Sequence, residues 1–193
     1  MVSARVLGDQ ASAKGKILRT AAALFRERGF ARTTVRDIAS QVGMLSGSLF
    51  HHFPNKEAIL AQLMEELILL VEDEMETRLA ACHEPRARLQ ILVACELQAI
   101  HGQIGTGFSI LMTEWRSLSS ESQAHILTLR NHYEQRWHSC LQALQAQAKL
   151  PADPVLARHF IRGAAMETWH WYNPEGPLTV QALAEQLVSL VSH

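Results

Sequence analysis

No stretch of this chain stays apolar long enough to cross a membrane. A span needs roughly 18 such residues, and the best candidates are interrupted by Glu66, Glu72 and Glu96. The opening MVSARVLGDQ has no long apolar segment, so no secretory signal is expected and a cytoplasmic location is. Cysteines are few. Cys82, Cys95 and Cys140 are odd in number and widely scattered, which suits reduced thiols better than a disulfide framework. Strand signals are scarce too: β-branched and aromatic residues rarely alternate with polar ones, and no Asn-Gly or Asp-Gly turn occurs. Neither a repeat nor a low-complexity segment is present. There are ten histidines, with His125 and His132 on one helical face, yet no Cys/His pair has zinc spacing and no His-Glu-x-x-His occurs. Gly-x-Ser-x-Gly and Walker phosphate loops are also missing. The expectation is a protein that is not an enzyme and needs no metal or cofactor.

What is present is a chain of 193 residues, 48% hydrophobic and 19% charged, which excludes wholesale disorder and allows a small domain joined to a larger one. The net charge of −1 hides a split. Met1 to Lys56 holds nine bases (Arg5, Lys14, Lys16, Arg19, Arg26, Arg28, Arg32, Arg36 and Lys56) against three acids, a balance of +6; the remainder is −7. A basic end on an acidic body suggests that the end alone meets a polyanion.

Helical spacing runs through nearly the whole chain. Ser12 caps a first helix with the stripe Ile17, Ala21, Leu24 and Phe25, ended by a left-handed Gly29. Thr34 and Asp37 form a capping box for a short second helix. Gly43 turns the chain into a third, which Pro54 stops, and Asn55 opens a long helix towards Arg78. Further helices are expected from Pro85 to His101, across the apolar segment Phe108 to Leu118, from Ser119 or Ser120 to before Pro151, from Asp153-Pro154 to near Asn173, and from Thr179 onward. The expected fold is all-α, about nine helices, with a small basic domain at 1–56 and a larger acidic one at 57–193.

The three short basic helices make a helix-turn-helix. Its second helix must project small polar groups into a DNA major groove. Ser46, Gly47 and Ser48 present no bulk, Leu49 and Phe53 are spaced to anchor the helix inward, and Thr33, Thr34, Arg36, Phe50, His51, His52 and Lys56 surround it as candidate DNA contacts.

The matching residues are Ala21-Ala22, Leu24-Phe25, Gly29-Phe30, Thr33 through Ala39, Gly43, Gly47 through Phe53, and Lys56-Glu57. This pattern resembles the DNA-binding domain of the TetR family of bacterial transcriptional repressors. The resemblance implies a helical ligand-binding and dimerisation body, a homodimer on a roughly palindromic DNA operator, and a small-molecule inducer. Two departures stand out: Leu45 replaces a usual capping Ser, and Phe50 replaces a usual Tyr whose hydroxyl reaches a phosphate. Ser46 is positioned to take over the cap. Met44 to Leu49, Glu114 to Ser119 and Trp169 to Gly176 are also similar to a branch that controls steroid and fatty-acid degradation and responds to acyl-coenzyme A thioesters.

By the same resemblance the last two long helices pair across the dimer, here through Leu156, Phe160, Gly163, Ala164, Leu183, Leu187 and Leu190. The ligand site is less legible. A stripe of Ile126, Arg130, Tyr133, Trp137, Leu141 and Leu144 places a guanidinium among apolar groups, where it needs an anion. Either a protein carboxylate, Glu114 or Glu96, or a ligand phosphate or carboxylate fills that need. Arg162, Met166 and Trp169 raise the same question one helix later, and Trp115, Arg116 and Phe108 are candidates for the far end of a pocket.

Overall fold

The computed structural model describes residues 12–102, 110 and 113–192. Among these there are eight α-helices and one 3₁₀ turn and no strand: α1 (Ala13–Arg28), α2 (Val35–Val42), α3 (Ser46–Phe50), α4 (Lys56–Leu79), α5 (Pro85–His101), the turn Trp115–Ser117, α6 (Ser120–Ala146), α7 (Pro154–Trp171) and α8 (Val180–Val191). The all-α expectation holds; of the segment expected to be helical from Phe108 to Leu118, Ile110 and Thr113 are helical and Trp115–Ser117 forms the 3₁₀ turn, while Phe108 lies outside the described residues. None of the described helices is long and apolar enough to cross a membrane.

Two compact units form, one from residues 1–70 and 106–129, the other from 71–105 and 130–193. Both α4 and α6 continue from one unit into the other.

In the first unit the local signals act as read. Ser12 accepts a hydrogen bond from the Gly15 amide at 3.0 Å. Gly29 takes φ +81°, which favours glycine, but its ψ of 155° puts it outside the left-handed helical region expected of it. Thr34 and Asp37 form the complete capping box, worth about 1 kcal/mol. The Thr34 hydroxyl and amide hold the Asp37 carboxyl below the usual aspartate range. The box is therefore intact above that range and fails only as pH falls through the lowered value. Gly43 closes α2 in the left-handed conformation, φ 81° and ψ 36°. Ile17, Leu18, Ala21, Ile38, Leu49, Ile59, Leu60, Leu63 and Met64 are fully buried and make this unit's core.

In the second unit α5 packs against α7 and α8. Leu89, Leu92, Val93 and Leu97 of α5 are buried, with Trp137, Leu141 and Leu144 of α6 and Ala157, Ile161 and Ala165 of α7. Leu183 and Leu187 also belong to this core, being 4% and 8% exposed, which corrects their expected place in a dimer contact. Equal spacing on a short helix cannot tell an inner stripe from an outer one; their own chain covers them. After α6 the chain turns through Ala148 at φ 56°, a left-handed position that disfavours a Cβ. Ala148→Gly is expected to raise unfolding stability by up to about 1 kcal/mol, the relieved strain exceeding the added unfolded-state freedom; chemical denaturation would show it.

Candidate functional site

The reading head is held from beneath by two apolar anchors. Leu49 and Phe53 are 0% and 3% exposed, so the opposite side of α3 faces solvent. Gly47 is exposed there, and a Cβ added to it would meet nothing within 4 Å. Ser46 and Ser48 are half-buried beside it, and Arg36, Phe50, His51 and His52 are exposed around it. Arg36 has no ion pair among the described residues. This leaves a short, low-profile helix ringed by donors and a cation.

Two expected contacts, Thr33 and Lys56, have other work. Thr33 is fully buried, and its hydroxyl donates to the carbonyls of Leu24 (3.3 Å) and Gly29 (2.9 Å), so it fastens the end of α1 instead of meeting phosphate. The Lys56 ammonium donates to the Phe30 and Thr33 carbonyls at 2.7 and 2.8 Å and lies 4.1 Å from the Phe30 ring centroid. It is a brace for the α1–α2 corner. Lys16 does the same for the end of α2, donating to the Val42 carbonyl at 2.8 Å. Ser46 is the first residue of α3 and does not cap it: Leu45 stands at the cap position and offers no side-chain bond. Thr34 remains exposed, but its hydroxyl is engaged with Asp37 at 2.6 Å.

The second unit carries a buried ionic cluster that the stripe of α6 did not indicate. Arg158, 8% exposed, donates to Glu134 through Nε and Nη2 at 2.8 and 3.0 Å, and its Nη1 lies 3.0 Å from Glu96 Oε2. The Tyr133 hydroxyl donates to the same Glu96 at 2.8 Å. The Arg158 guanidinium stacks 4.0 Å from the Trp137 ring centroid. Burial alone would lower the Arg158 pKa, but the charge of Glu96 and the bonds to Glu134 outweigh it and raise it. Burial and the Glu96 charge hold the Tyr133 hydroxyl well above the usual tyrosine range.

Glu96 is thereby committed to Arg158 and Tyr133, and Glu114 bonds the Ser117 hydroxyl and the Phe30 amide. Neither proposed carboxylate serves Arg130. Among the described residues Arg130 and Arg162 make no hydrogen bond or ion pair, though both are partly buried. Burial and the neighbouring charge of Arg162 lower the Arg130 pKa below the usual guanidinium value. The Glu134 carboxylate, already bonded to Arg158, offsets this only in part, and two neighbouring cations of this kind suit an anionic ligand.

Residues 17–63 match the family described as bacterial regulatory proteins, tetR family, and residues 82–193 match the tetracyclin repressor-like C-terminal domain. The HTH-type transcriptional repressor KstR2 of Mycobacterium tuberculosis is 34% identical over 97% of this chain and 94% of its own length. The chain belongs to the TetR family. It is a DNA-binding transcriptional regulator built on a helix-turn-helix head, not an enzyme. Two solved structures are also similar. One, described as superantigen PfiT, has a TM-score of 0.86 and 46% identity, covering 95% of this chain and 98% of that one. The other, AibR in complex with isovaleryl coenzyme A and operator DNA, has a TM-score of 0.82 and 25% identity, covering 92% and 97%.

Within this TetR-family chain the remaining expected site residues fall into three groups. Met166 is half-buried on α7, one turn after Arg162. Trp115 is half-buried and Arg116 exposed on the 3₁₀ turn of the first unit, where the Trp115 carbonyl accepts from Gln123 at 3.1 Å; Phe108 lies outside the described residues. Leu156, Phe160 and Leu190 are 64%, 55% and 72% exposed, a large apolar display for one chain. Trp171 shares the Leu156–Phe160–Gly163 face of α7 and is exposed as well. Ala164 is half-buried and Gly163 open, with nothing within 4 Å of an added Cβ. Trp169, exposed, lies on the Arg162–Met166 side of the helix instead. Separately, a cleft of ≈ 610 Å³ is lined by Glu72, His83, Arg88, His132, Arg136 and Cys140 and includes neither Arg130 nor Arg162. Burial pushes the Cys140 thiol up to about 12, so it stays protonated there at neutral pH.

Gly47→Ala separates reading from folding. With open space around the added methyl, unfolding stability should hold or rise by up to about 1 kcal/mol, because alanine is the better helix former. Operator affinity should fall in a binding titration, since the methyl occupies the space a duplex must enter.

Proposed function

We propose that this protein is a homodimeric repressor that binds a roughly palindromic operator and is released by a small acyl-coenzyme A thioester or a related lipid catabolite. The observation that carries the ligand reading is the Arg130–Arg162 pair, two partly buried guanidiniums that make no ion pair among the described residues. A thioester of coenzyme A supplies several phosphate oxygens for such a pair and an acyl group for the apolar side chains beside it, Met166 and Trp169. KstR2 is a named repressor, and AibR was crystallised with both isovaleryl coenzyme A and operator DNA, which supports the reading. In this reading the functional boundary is at residue 56, with Thr34, Arg36, Ser46, Gly47, Ser48, Phe50, His51 and His52 meeting DNA and the rest of the chain sensing. A cytoplasmic location goes with this role.

Arg130 lies on α6 and Arg162 on α7, both in the second unit. A ligand anion held by this pair is the input to the switch. Release then follows as a population shift, provided the ligand binds the non-DNA state more tightly. The test is thermal unfolding of the protein against coenzyme A thioesters, free fatty acids and steroids. At about a hundred times its dissociation constant a ligand adds about 2.7 kcal/mol. Stabilisation by thioesters that disappears in Arg130→Ala supports the reading; stabilisation by none of the panel, or equal response of the variant, refutes it.

The 46% identity to a protein described as a superantigen favours a second reading, that this chain also stimulates T cells. A T-cell proliferation assay with purified protein decides that independently of operator binding.

A further inference from the structure

We propose that Leu45 reads DNA directly, packing its side chain on a thymine methyl group in each operator half-site. The inference rests on the operator-binding role of the head. Leu45 is 79% exposed, the largest value given for a large apolar side chain among the described residues. It precedes the first turn of α3 with extended backbone, φ −71° and ψ 143°, and makes no side-chain cap bond. A Ser, Thr, Asp or Asn at this position would satisfy one of the free amides of α3. Leucine gives up that bond and exposes an isobutyl group to water. Both choices are unfavourable in the free protein, and an apolar surface that covers the side chain in the bound state offsets them.

The neighbours identify that surface. Among the described residues of the head, Leu45 and Phe50 are the exposed large apolar side chains, and around them stand Gly47 with open space above it, the half-buried hydroxyls of Ser46 and Ser48, and the exposed Arg36, His51 and His52. A protein or lipid partner would want a continuous apolar patch; small polar groups with a cation suit a duplex. On the major-groove edges of the base pairs the apolar group is the thymine C5-methyl. A leucine beside a helix that enters the groove matches that one feature, while the serines match donors and acceptors.

The experiment uses the full-length protein. An operator is selected from a random duplex library, and each thymine is then replaced in turn by deoxyuridine, which removes only the methyl. Moving one methyl-sized group from water into an apolar contact is worth about fourfold in affinity, so one thymine position per half-site should lose about fourfold, and about fifteenfold when both half-sites are replaced. Leu45→Ala should bind the original operator more weakly and respond at that position to deoxyuridine not at all. Leu45→Ser, which restores a capping hydroxyl, should keep its thermal unfolding and lose the same response. Indifference of the parent protein to every replacement, a selected half-site without thymine, or an unchanged response in Leu45→Ala overturns the proposal. Failure to select any duplex is a different result, because it removes the operator-binding role itself.

Discussion

Arg158→Ala is expected to destabilise the protein by about 3–5 kcal/mol, the largest effect of any single change considered. The reason is the charge it abandons. Glu96 is 2% exposed and keeps only the Tyr133 hydroxyl once the guanidinium is gone, and a buried carboxylate with one neutral donor is poorly compensated. Glu134, whose side chain is 33% exposed, can return to water and contributes less. The Trp137 face also loses the cation stacked 4.0 Å away. The double variant Arg158→Met with Glu96→Gln should recover most of the loss: the amide oxygen of Gln still accepts from Tyr133, and Met refills the space with apolar atoms. Denaturant unfolding of the two proteins checks both statements. A loss below about 1 kcal/mol for Arg158→Ala would be that of an exposed pair and would contradict the buried network.

Phe160→Glu should leave the chain folded but monomeric, and weaken binding to a two-half-site operator by about 10²–10⁴-fold. Phe160 is 55% exposed within its own chain, so the substitution removes little internal packing. It places a charge in the middle of the Leu156, Gly163 and Trp171 face, which a second copy must desolvate. Helix-turn-helix dimers read half-sites about one turn, ~34 Å, apart, and the joined heads multiply their affinities. Sedimentation of the variant and its titration with full and half operators separate the two consequences. A variant that remains dimeric places the interface elsewhere.

Legibility in the sequence followed the range of the forces involved. Ser12, Thr34 with Asp37, Asn55, Pro85, Asp153 and Thr179 all mark helix starts where expected, since a cap is a contact within three residues. Thr33 and Thr34 show the limit. They are adjacent and chemically identical, yet one turns its hydroxyl inward onto the Leu24 and Gly29 carbonyls and the other caps α2, a difference set by how the α1–α2 corner packs and not by residue type. The arginines show it again. The stripe of α6 points to Arg130 as the guanidinium in need of an anion, but tertiary packing gives the buried carboxylate Glu96 to Arg158 of α7 instead. A signal for Arg158 existed: it lies three and seven residues before Ile161 and Ala165, on the inward side of α7. The exposed face of Leu156 and Phe160 was found by spacing because helical period and exposure agree there. Leu183 and Leu187 show the same spacing with the opposite exposure.

The most direct test of the account is fluorescence anisotropy of the protein on its selected operator, titrated with a short-chain acyl-coenzyme A. The account predicts release from DNA by the thioester but not by the free acid, with the midpoint moved at least about tenfold, or 1.4 kcal/mol, higher in Arg130→Ala and Arg162→Ala. Operator complexes that persist at saturating thioester, or that dissociate identically in the parent and both variants, would contradict it.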